Sequence, residues 1–173
     1  MNIILFGITG LGNAALEQLL ELKKKPSLVV TRREYNEDPH LKLPNLGEIS
    51  KKYSIPVEYD KSFVGGNFDL CIVATYHKKI NLKISNFKKA FNIHPSYLPD
   101  YKGKDPINDV LLNKEIFTGV SVHFLNEEFD SGKIIMQKKI SIKKLIKKSE
   151  IMKKMYPIYK RFTKELVINF DKI

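Results

Sequence analysis

The chain carries the segment Asn92-Ile93-His94-Pro95-Ser96-Tyr97-Leu98-Pro99 just past its midpoint. Lys89–Ile93 reads as the end of a strand, so Asn92 and His94 project from the same face at its carboxyl end. The two prolines stiffen the loop that follows. A stiff loop beside a strand end is where open α/β sheets usually place their reactive groups. The segment therefore favours an α/β fold with a polar site at one edge of the sheet.

Outward from this segment, apolar strands alternate with helical patterns. Asn2–Phe6 and Leu28–Thr31 read as strands, and Asn13–Lys24 between them has apolar residues at helical spacing. This is a βαβ unit, whose two strands are parallel. The remaining predicted elements are helices at Leu46–Tyr53 and Pro106–Asn113, strands at Val57–Tyr59, Asp69–Ala74, Thr118–Leu125 and Lys133–Ile142, and a surface loop at Arg33–Leu46.

The C-terminal part has one apolar stripe at helical spacing. It runs through Ile146–Phe170, and Pro157 is expected to interrupt the helix. Neither an internal repeat nor a long linker divides the sequence. We therefore predict a catalytic domain over residues 1–142 and a helical tail over residues 143–173, packed on the same domain or on a partner chain.

Composition indicates a single compact domain. A chain of 173 residues buries a core without metal or disulfide support, and the single cysteine, Cys71, lies in an apolar run. The net charge of +11 comes from scattered lysines, so solvated lysines explain it as well as an RNA-binding or anion-binding face does. Met1–Leu11 lacks a basic leader and no segment is long enough to span a bilayer, so we expect a cytoplasmic protein.

The first βα turn suggests a nucleotide-binding alternative. It reads Gly7-Ile8-Thr9-Gly10-Leu11-Gly12, and Arg32-Arg33 follows the second strand, as in a reductase that binds NADP. However, the glycine spacing is not G-x-G-x-x-G, and the Tyr-x-x-x-Lys run at Tyr156–Lys160 contains a proline. A tight turn that packs a helix on its strand accounts for the glycines better.

A longer pattern surrounds the opening segment. Asn92-x-His94-x-Ser96-x-Leu98-Pro99 is followed in order by Lys102-Gly103, Thr118-Gly119-Val120 and Asp130-Ser131-Gly132. This pattern resembles the folate-dependent formyltransferases, which act on glycinamide ribonucleotide, methionyl-tRNA or nucleotide-linked sugars. The resemblance runs from about Asn2 to about Ile142 and is most specific over Asn92–Ile135. It implies a Rossmann-like formyltransferase fold, with a mostly parallel sheet and helices on both faces.

The resemblance also implies an activity and a set of site residues. The expected enzyme transfers a formyl group from N10-formyltetrahydrofolate, its cosubstrate, to a primary amine and needs no metal. The family's catalytic Asn, His and Asp fall on Asn92, His94 and Asp130. The expected cofactor-binding residues are Thr75, Tyr76, His77, Lys78, Ile80, Asn126, Glu127 and Phe129, and the expected substrate-binding residues are Gly10, Ser96, Lys102, Gly103 and Lys104.

The side chains suit this chemistry. Attack of an amine on a formyl carbon builds negative charge on the formyl oxygen, which N–H donors stabilise. Asn92 offers a neutral donor, and His94 offers a stronger one when it is protonated. Asp130 is expected to favour the charged His94, orient its ring and connect the site to water for removal of the amine's proton. The histidines lie far apart in sequence, so no zinc site is expected.

The acceptor amine is inferred from what the sequence lacks. The first βα turn is not the Gly-Ser-Gly type with which glycinamide ribonucleotide formyltransferases cradle a phosphate. The chain also ends soon after its catalytic half, where methionyl-tRNA formyltransferases add an RNA-binding barrel. The run Lys102–Asn108 is similar to the tRNA and sugar branches. We therefore expect a nucleotide-linked amino sugar.

Several alternatives stay open at this point. Phosphoribosylglycinamide and methionyl-tRNA formyltransferases are the enzymatic alternatives, and a non-catalytic folate- or sugar-binding homologue is the alternative from a different class. We expect small-molecule partners, no specific nucleic acid and no membrane. A homodimer is compatible with the short tail.

Overall fold

The computed structural model describes residues 1–33, 38–60 and 63–173. In these ranges the strands are β1 (Ile3–Gly7), β2 (Leu28–Thr31), β3 (Val57–Tyr59), β4 (Gly66–Ala74), β5 (Ser85–His94), β6 (Phe117–Phe124) and β7 (Ile134–Ser141). The α-helices are α1 (Leu11–Glu21), α2 (Leu46–Lys52), α3 (Pro106–Leu112) and α4 (Lys148–Ile168), and a 3₁₀-helix spans Leu82–Ile84.

The strands form one sheet in the order β3-β2-β1-β4-β5-β6-β7. The first five strands in this order pair in parallel, whereas β6 pairs antiparallel to both β5 and β7. The chain moves outward from β1 to β3 and then returns to β4 on the other side of β1. The strand order therefore reverses between β1 and β4, which is where open α/β sheets bind ligands. The predicted α/β fold with a mostly parallel sheet is confirmed.

The two faces of the sheet are covered differently. Alternate residues of β1 separate into two cores, with Ile3 and Leu5 on one face and Ile4 and Phe6 on the other. Buried residues of all four described α-helices join the first core. The crossover from β1 to β2 runs one way along the sheet and the crossover from β4 to β5 runs the other way. Since both are right-handed, their connections lie on opposite faces, and the β4–β5 connection covers the second face. Its helical cover there is a 3₁₀-helix, through Leu82, rather than an α-helix.

Helix α4 is continuous, so the predicted interruption at Pro157 is wrong. Proline removes one intrahelical hydrogen bond, but the buried stripe along α4 outweighs that loss through packing. The helix packs on α1 of the same chain, where the Tyr156 hydroxyl donates to Glu17 at 2.8 Å and Lys160 Nζ lies 2.6 Å from Glu21. The stripe consists of Ile151, Met155, Tyr159, Phe162 and Leu166.

Element boundaries differ from the predictions where polar residues flank apolar runs. Strand β5 starts at Ser85, well before the predicted Lys89, and β4 starts at Gly66. Both extensions alternate exposed polar residues, Asn67, Asn86 and Lys88, with less exposed ones, which weakens the apolar signal. The predicted loop Arg33–Leu46 is irregular over 38–45, and residues 34–37 lie outside the described residues. Among the described helices, none is both long and apolar enough to cross a membrane.

Candidate active site

A cavity of about 660 Å³ lies at the carboxyl edge of the parallel strands. Its walls come from the β1–α1 turn, the residues after β2 and β4, the end of β5, the loop leading to α3 and the first turns of α4. Both apolar and charged side chains line it. The volume is in the usual range for sites that bind cofactors and other small molecules.

Asp130 lies at the centre of a polar cluster in this cavity. Its Oδ1 accepts a hydrogen bond from Asn92 Nδ2 at 3.0 Å and lies 3.3 Å from both His94 Nδ1 and His123 Nε2. Its Oδ2 accepts from the backbone N–H of Gly103 at 2.9 Å. Asp130 also has a φ of +51°, a conformation uncommon outside glycine and typical of functional sites. One carboxylate thus joins two neighbouring side chains of β5, Asn92 and His94, to His123 of β6 and to the Gly103 backbone, which lie elsewhere in the sequence.

These contacts keep Asp130 ionised. Burial alone would raise its pKa, but the neighbouring imidazoles of His123 and His94 and the Gly103 N–H hold the pKa of Asp130 below its usual value. The carboxylate is therefore charged at neutral pH.

His94 is held between two acceptors. Its Nε2 lies 3.0 Å from the carbonyl oxygen of Tyr101, and because a carbonyl oxygen only accepts, Nε2 carries the proton. Burial lowers the pKa of His94 below its ordinary value, although Asp130 and the Tyr101 carbonyl act in the opposite direction. Asp130 thus favours the charged form of His94, as expected, but loss of hydration outweighs the carboxylate and the net pKa of His94 is lowered.

His123 is a site residue that the sequence did not reveal. It lies opposite Asn92 in the register of β5 and β6, and its Nε2 is 3.1 Å from Asn92 Nδ2. His123 Nδ1 lies 2.8 Å from the carbonyl oxygen of Phe124 and donates to it, which leaves Nε2 of the neutral ring as an acceptor. The amide N–H₂ of Asn92 therefore donates to both Asp130 and His123. The sequence suggested a donor available to substrate, whereas in the structure both N–H groups already have partners.

The predicted cofactor-binding residues lie mostly together. Tyr76 and His77 both contact Asp60, with the Tyr76 hydroxyl donating at 2.7 Å and His77 Nε2 at 3.1 Å. Glu127 does not line the cavity. The predicted residues that do line it are Thr75, Tyr76, His77, Lys78, Ile80, Asn126 and Phe129.

The predicted substrate-binding residues divide into two groups. Gly103 and Lys104 line the cavity, whereas Gly10, Ser96 and Lys102 do not. Ser96 is fully buried, and its hydroxyl donates to the carbonyl oxygen of Asp100 at 2.7 Å, so it stabilises the loop. Lys102 is exposed on the surface outside the cavity. Gly10 is buried beneath neighbouring side chains.

Other residues line the cavity without having been predicted to do so. They come from segments that only the fold brings to this edge, and the sequence had marked Thr9 and Arg32 only for a dinucleotide-binding alternative. They include Thr9, Arg32, Asp38, Lys148 and Met152. In the part of the chain that the structure describes, no group of three or more His, Cys, Asp or Glu residues is arranged to hold a metal ion.

Comparison with known proteins identifies the family. The model of a family described as Formyl transferase matches residues 11–162, which is most of the chain. The chain belongs to the formyl transferase family. Methionyl-tRNA formyltransferase of Wolbachia pipientis subsp. Culex pipiens is 34% identical to this chain over 169 residues, which cover 90% of the chain and 55% of the relative. Another curated relative is covered over 25% of its length, so the chain spans only part of such proteins.

Solved structures share the fold of this chain. The N-formyltransferase from Helicobacter canadensis, in complex with folinic acid and dTDP-3-aminofucose, has a TM-score of 0.78 at 20% identity, over 98% of this chain and 65% of that one. Phosphoribosylglycinamide formyltransferase from Streptococcus pneumoniae has a TM-score of 0.75 at 18% identity, over 98% and 99% of the two chains. These likenesses concern the fold.

Proposed function

We propose that this chain transfers a formyl group from N10-formyltetrahydrofolate to the primary amine of a nucleotide-linked amino sugar. One observation carries the proposal: Asn92 and His94 both contact the carboxylate of Asp130, inside a cavity large enough for small-molecule substrates. Membership of the formyl transferase family supports the reaction.

One side of the cavity suits a folate. Tyr76, Ile80, Leu125 and Phe129 line it there and offer apolar surface to a flat ring, and the polar side chain of Asn126 lies beside them. The bound folate supplies the formyl group. The side chains of this wall bind it and exclude water from the reacting carbon.

His94 is placed to take a proton from the amine. The neutral ring carries its proton on Nε2, so the lone pair of Nδ1 faces Asp130 Oδ1 at 3.3 Å. A proton received at Nδ1 turns this contact into an ion pair, which Asp130 stabilises. His94 then serves as the base that accepts the amine's proton and, once charged, as a donor to developing negative charge. When the bond between the formyl carbon and N10 breaks, this proton passes to N10 of the leaving tetrahydrofolate.

Asn92, held in place by His123 and Asp130, is the second donor. The N–H₂ of Asn92 is shared between Asp130 and His123, so a formyl oxygen that approaches Asn92 exchanges with one of these acceptors. Because the amide is already held by the cluster, it needs little reorganisation to face the developing charge.

Two observations bear on the acceptor. Lys104 and Lys148 line the cavity and suit the phosphates of a nucleotide-linked sugar, and the Helicobacter canadensis neighbour was solved with dTDP-3-aminofucose. Methionyl-tRNA is the second candidate, because the Wolbachia relative bears that name at 34% identity.

The proposal is tested by following the release of tetrahydrofolate. The purified chain is mixed with N10-formyltetrahydrofolate and, in separate reactions, a dTDP-linked amino sugar, glycinamide ribonucleotide or methionyl-tRNA. We expect turnover with the amino sugar. His94→Asn and Asp130→Asn are each expected to lower it by at least about two orders of magnitude, since they remove proton transfer or its support.

Asp100→Asn is the matched control, because Asp100 is an exposed carboxylate outside the cavity. Circular dichroism of each variant verifies folding. The proposal fails if no amine releases tetrahydrofolate, or if both cluster variants keep more than about half of the wild-type rate. Turnover confined to methionyl-tRNA would replace the amino sugar with the second candidate.

A further inference from the structure

Residues 44–46 are docked on the β1–α1 turn. Thr9 Oγ1 accepts from the backbone N–H of Leu46 at 3.0 Å, and Asn13 Nδ2 donates to the carbonyl oxygen of Pro44 at 3.0 Å. Asn13 Oδ1 in turn accepts from the backbone N–H of Gly10 at 2.8 Å. These bonds hold residues 44–46 against the turn, beside the wall of the cavity.

Asp38 places a carboxylate against this turn. The side chain is buried, and Oδ1 accepts from the backbone N–H groups of His40, at 2.9 Å, and Leu41. Oδ2 lies beside Gly10, where an added Cβ would be 3.0 Å from Oδ2 and 3.1 Å from Met152 Cε. Gly10 also has a φ of +110°, so glycine is required here. The carboxylate is therefore held in place and also lines the cavity.

The position of this carboxylate matters for anions. The N-terminus of a helix carries partial positive charge and N–H groups that bind phosphate in many proteins. Helix α1 has no acidic residue in its first turn, so Asp38 supplies the negative charge there from a separate segment. A phosphate that approached the β1–α1 turn from the cavity would meet the like charge of Asp38.

We propose that Asp38 is a specificity-determining residue, which excludes phosphate from the β1–α1 turn and binds hydroxyl groups of the acceptor's sugar. This inference rests on the proposed function and deepens it. The sugar ring lies against Asp38 and Met152, and the phosphates lie toward Lys104 and Lys148. These two lysines line the same cavity.

The exclusion of phosphate is tested without turnover. Inorganic phosphate is titrated into ¹⁵N-labelled wild type and Asp38→Asn, and the amide resonances of Gly10, Leu11 and Gly12 are followed. Asparagine keeps the Oδ1 acceptor for the backbone N–H groups and removes the charge. We expect no saturable shift in the wild type and at least about tenfold tighter phosphate binding in the variant.

Glu128→Gln is the matched control, because it removes one negative charge from another wall of the cavity. It is expected to leave phosphate binding at the turn unchanged. Saturable phosphate-induced shifts in the wild type overturn the inference, and this measurement needs no variant. The inference is also overturned if Glu128→Gln gains as much phosphate affinity as Asp38→Asn, or if neither Asp38→Asn nor Asp38→Ser gains any.

A kinetic arm tests the contact with the sugar. Asp38→Asn should raise the KM of the dTDP-linked amino sugar about tenfold and change kcat less, because a hydrogen bond to a charged acceptor is lost. An unchanged KM overturns this part. If no amine is formylated while the phosphate titration behaves as expected, the proposed function fails and the exclusion of phosphate by Asp38 stands.

Discussion

At the scale of single residues, two features of the surroundings of His94 shift its pKa in opposite directions. Burial removes the water that stabilises an imidazolium, while Asp130 lies 3.3 Å away and favours it. The net effect lowers the pKa of His94. A buried, neutral histidine beside an ionised carboxylate suits a base that charges only when a substrate delivers a proton.

This lowered pKa predicts how stability depends on pH. Below about pH 6.5, the ordinary histidine pKa, the unfolded chain takes up a proton at His94 before the folded chain does. The contribution of His94 is therefore fully present above that pH and is lost as pH falls through the lowered pKa. We expect the free energy of unfolding to decrease from pH 7.5 to 5.5, and to decrease less in His94→Asn.

Urea denaturation at the two pH values measures this difference. Burial also lowers the pKa of His77, against the opposing effect of Asp60, so the variant reduces the pH dependence and does not abolish it. His40→Asn is the control, since His40 lines the cavity outside the cluster. An unchanged pH dependence in His94→Asn would show that His94 is not the titrating group.

At the scale of elements, α4 supports the strand that carries the site. Tyr159 of α4 is fully buried, and its hydroxyl donates to the carbonyl oxygen of Ile93 at 2.9 Å, between Asn92 and His94. A helix from the C-terminal part of the chain thus sets the position of the β5 end. Tyr159 is a positioning residue, because it acts through the backbone of the residues beside it.

Replacing Tyr159 tests this support. Tyr159→Phe keeps the ring and removes the hydrogen bond, so we expect a loss of about 1–2 kcal/mol in the free energy of unfolding. We also expect a lower kcat with little change in KM, because the acceptor walls stay intact. The control is Tyr156→Phe, on the same helix, whose hydroxyl bonds Glu17 at the surface. Equal losses of stability and kcat in the two variants would contradict the positioning role.

At the scale of the whole molecule, the location of charge matters more than its sum. The net charge is +11, and most of the lysines lie outside the cavity. Charges separated by more than about 8 Å are largely screened at physiological salt. Lys148, at the start of α4, is different because it lines the cavity and lies 2.8 Å from Asp105. Removing the Lys148 side chain would also leave the carboxylate of Asp105 without this ion pair, beside the phosphates of the acceptor.

Two lysine variants separate these effects. Lys148→Ala and Lys102→Ala each lower the net charge by one, but only Lys148 lines the cavity. We expect Lys148→Ala to raise the KM of a phosphate-bearing acceptor about tenfold with kcat nearly unchanged, and Lys102→Ala to change KM less than about twofold. Saturation kinetics decide between them. A similar rise in both variants would mean that overall charge, rather than the site, attracts the acceptor.

Much of this molecule follows from local patterns in the chain. The βα alternation, the α/β class and the position of most elements were readable because side-chain periods of 2 and 3.6 residues follow from backbone geometry. Asn92 and His94 share a face for the same reason. The break expected at Pro157 was wrong, because a buried stripe on both sides of a proline stabilises the helix more than the proline weakens it.

The tertiary structure alone decided which distant residues meet and how their charges behave. His123 reaches Asn92 through strand register, and Asp38 reaches Gly10 because a separate segment docks on the first turn. The lowered pKa of His94 depends on burial by the whole fold. Local sequence cannot specify these features, because strand pairing, loop docking and loss of hydration arise only when segments remote in sequence pack together.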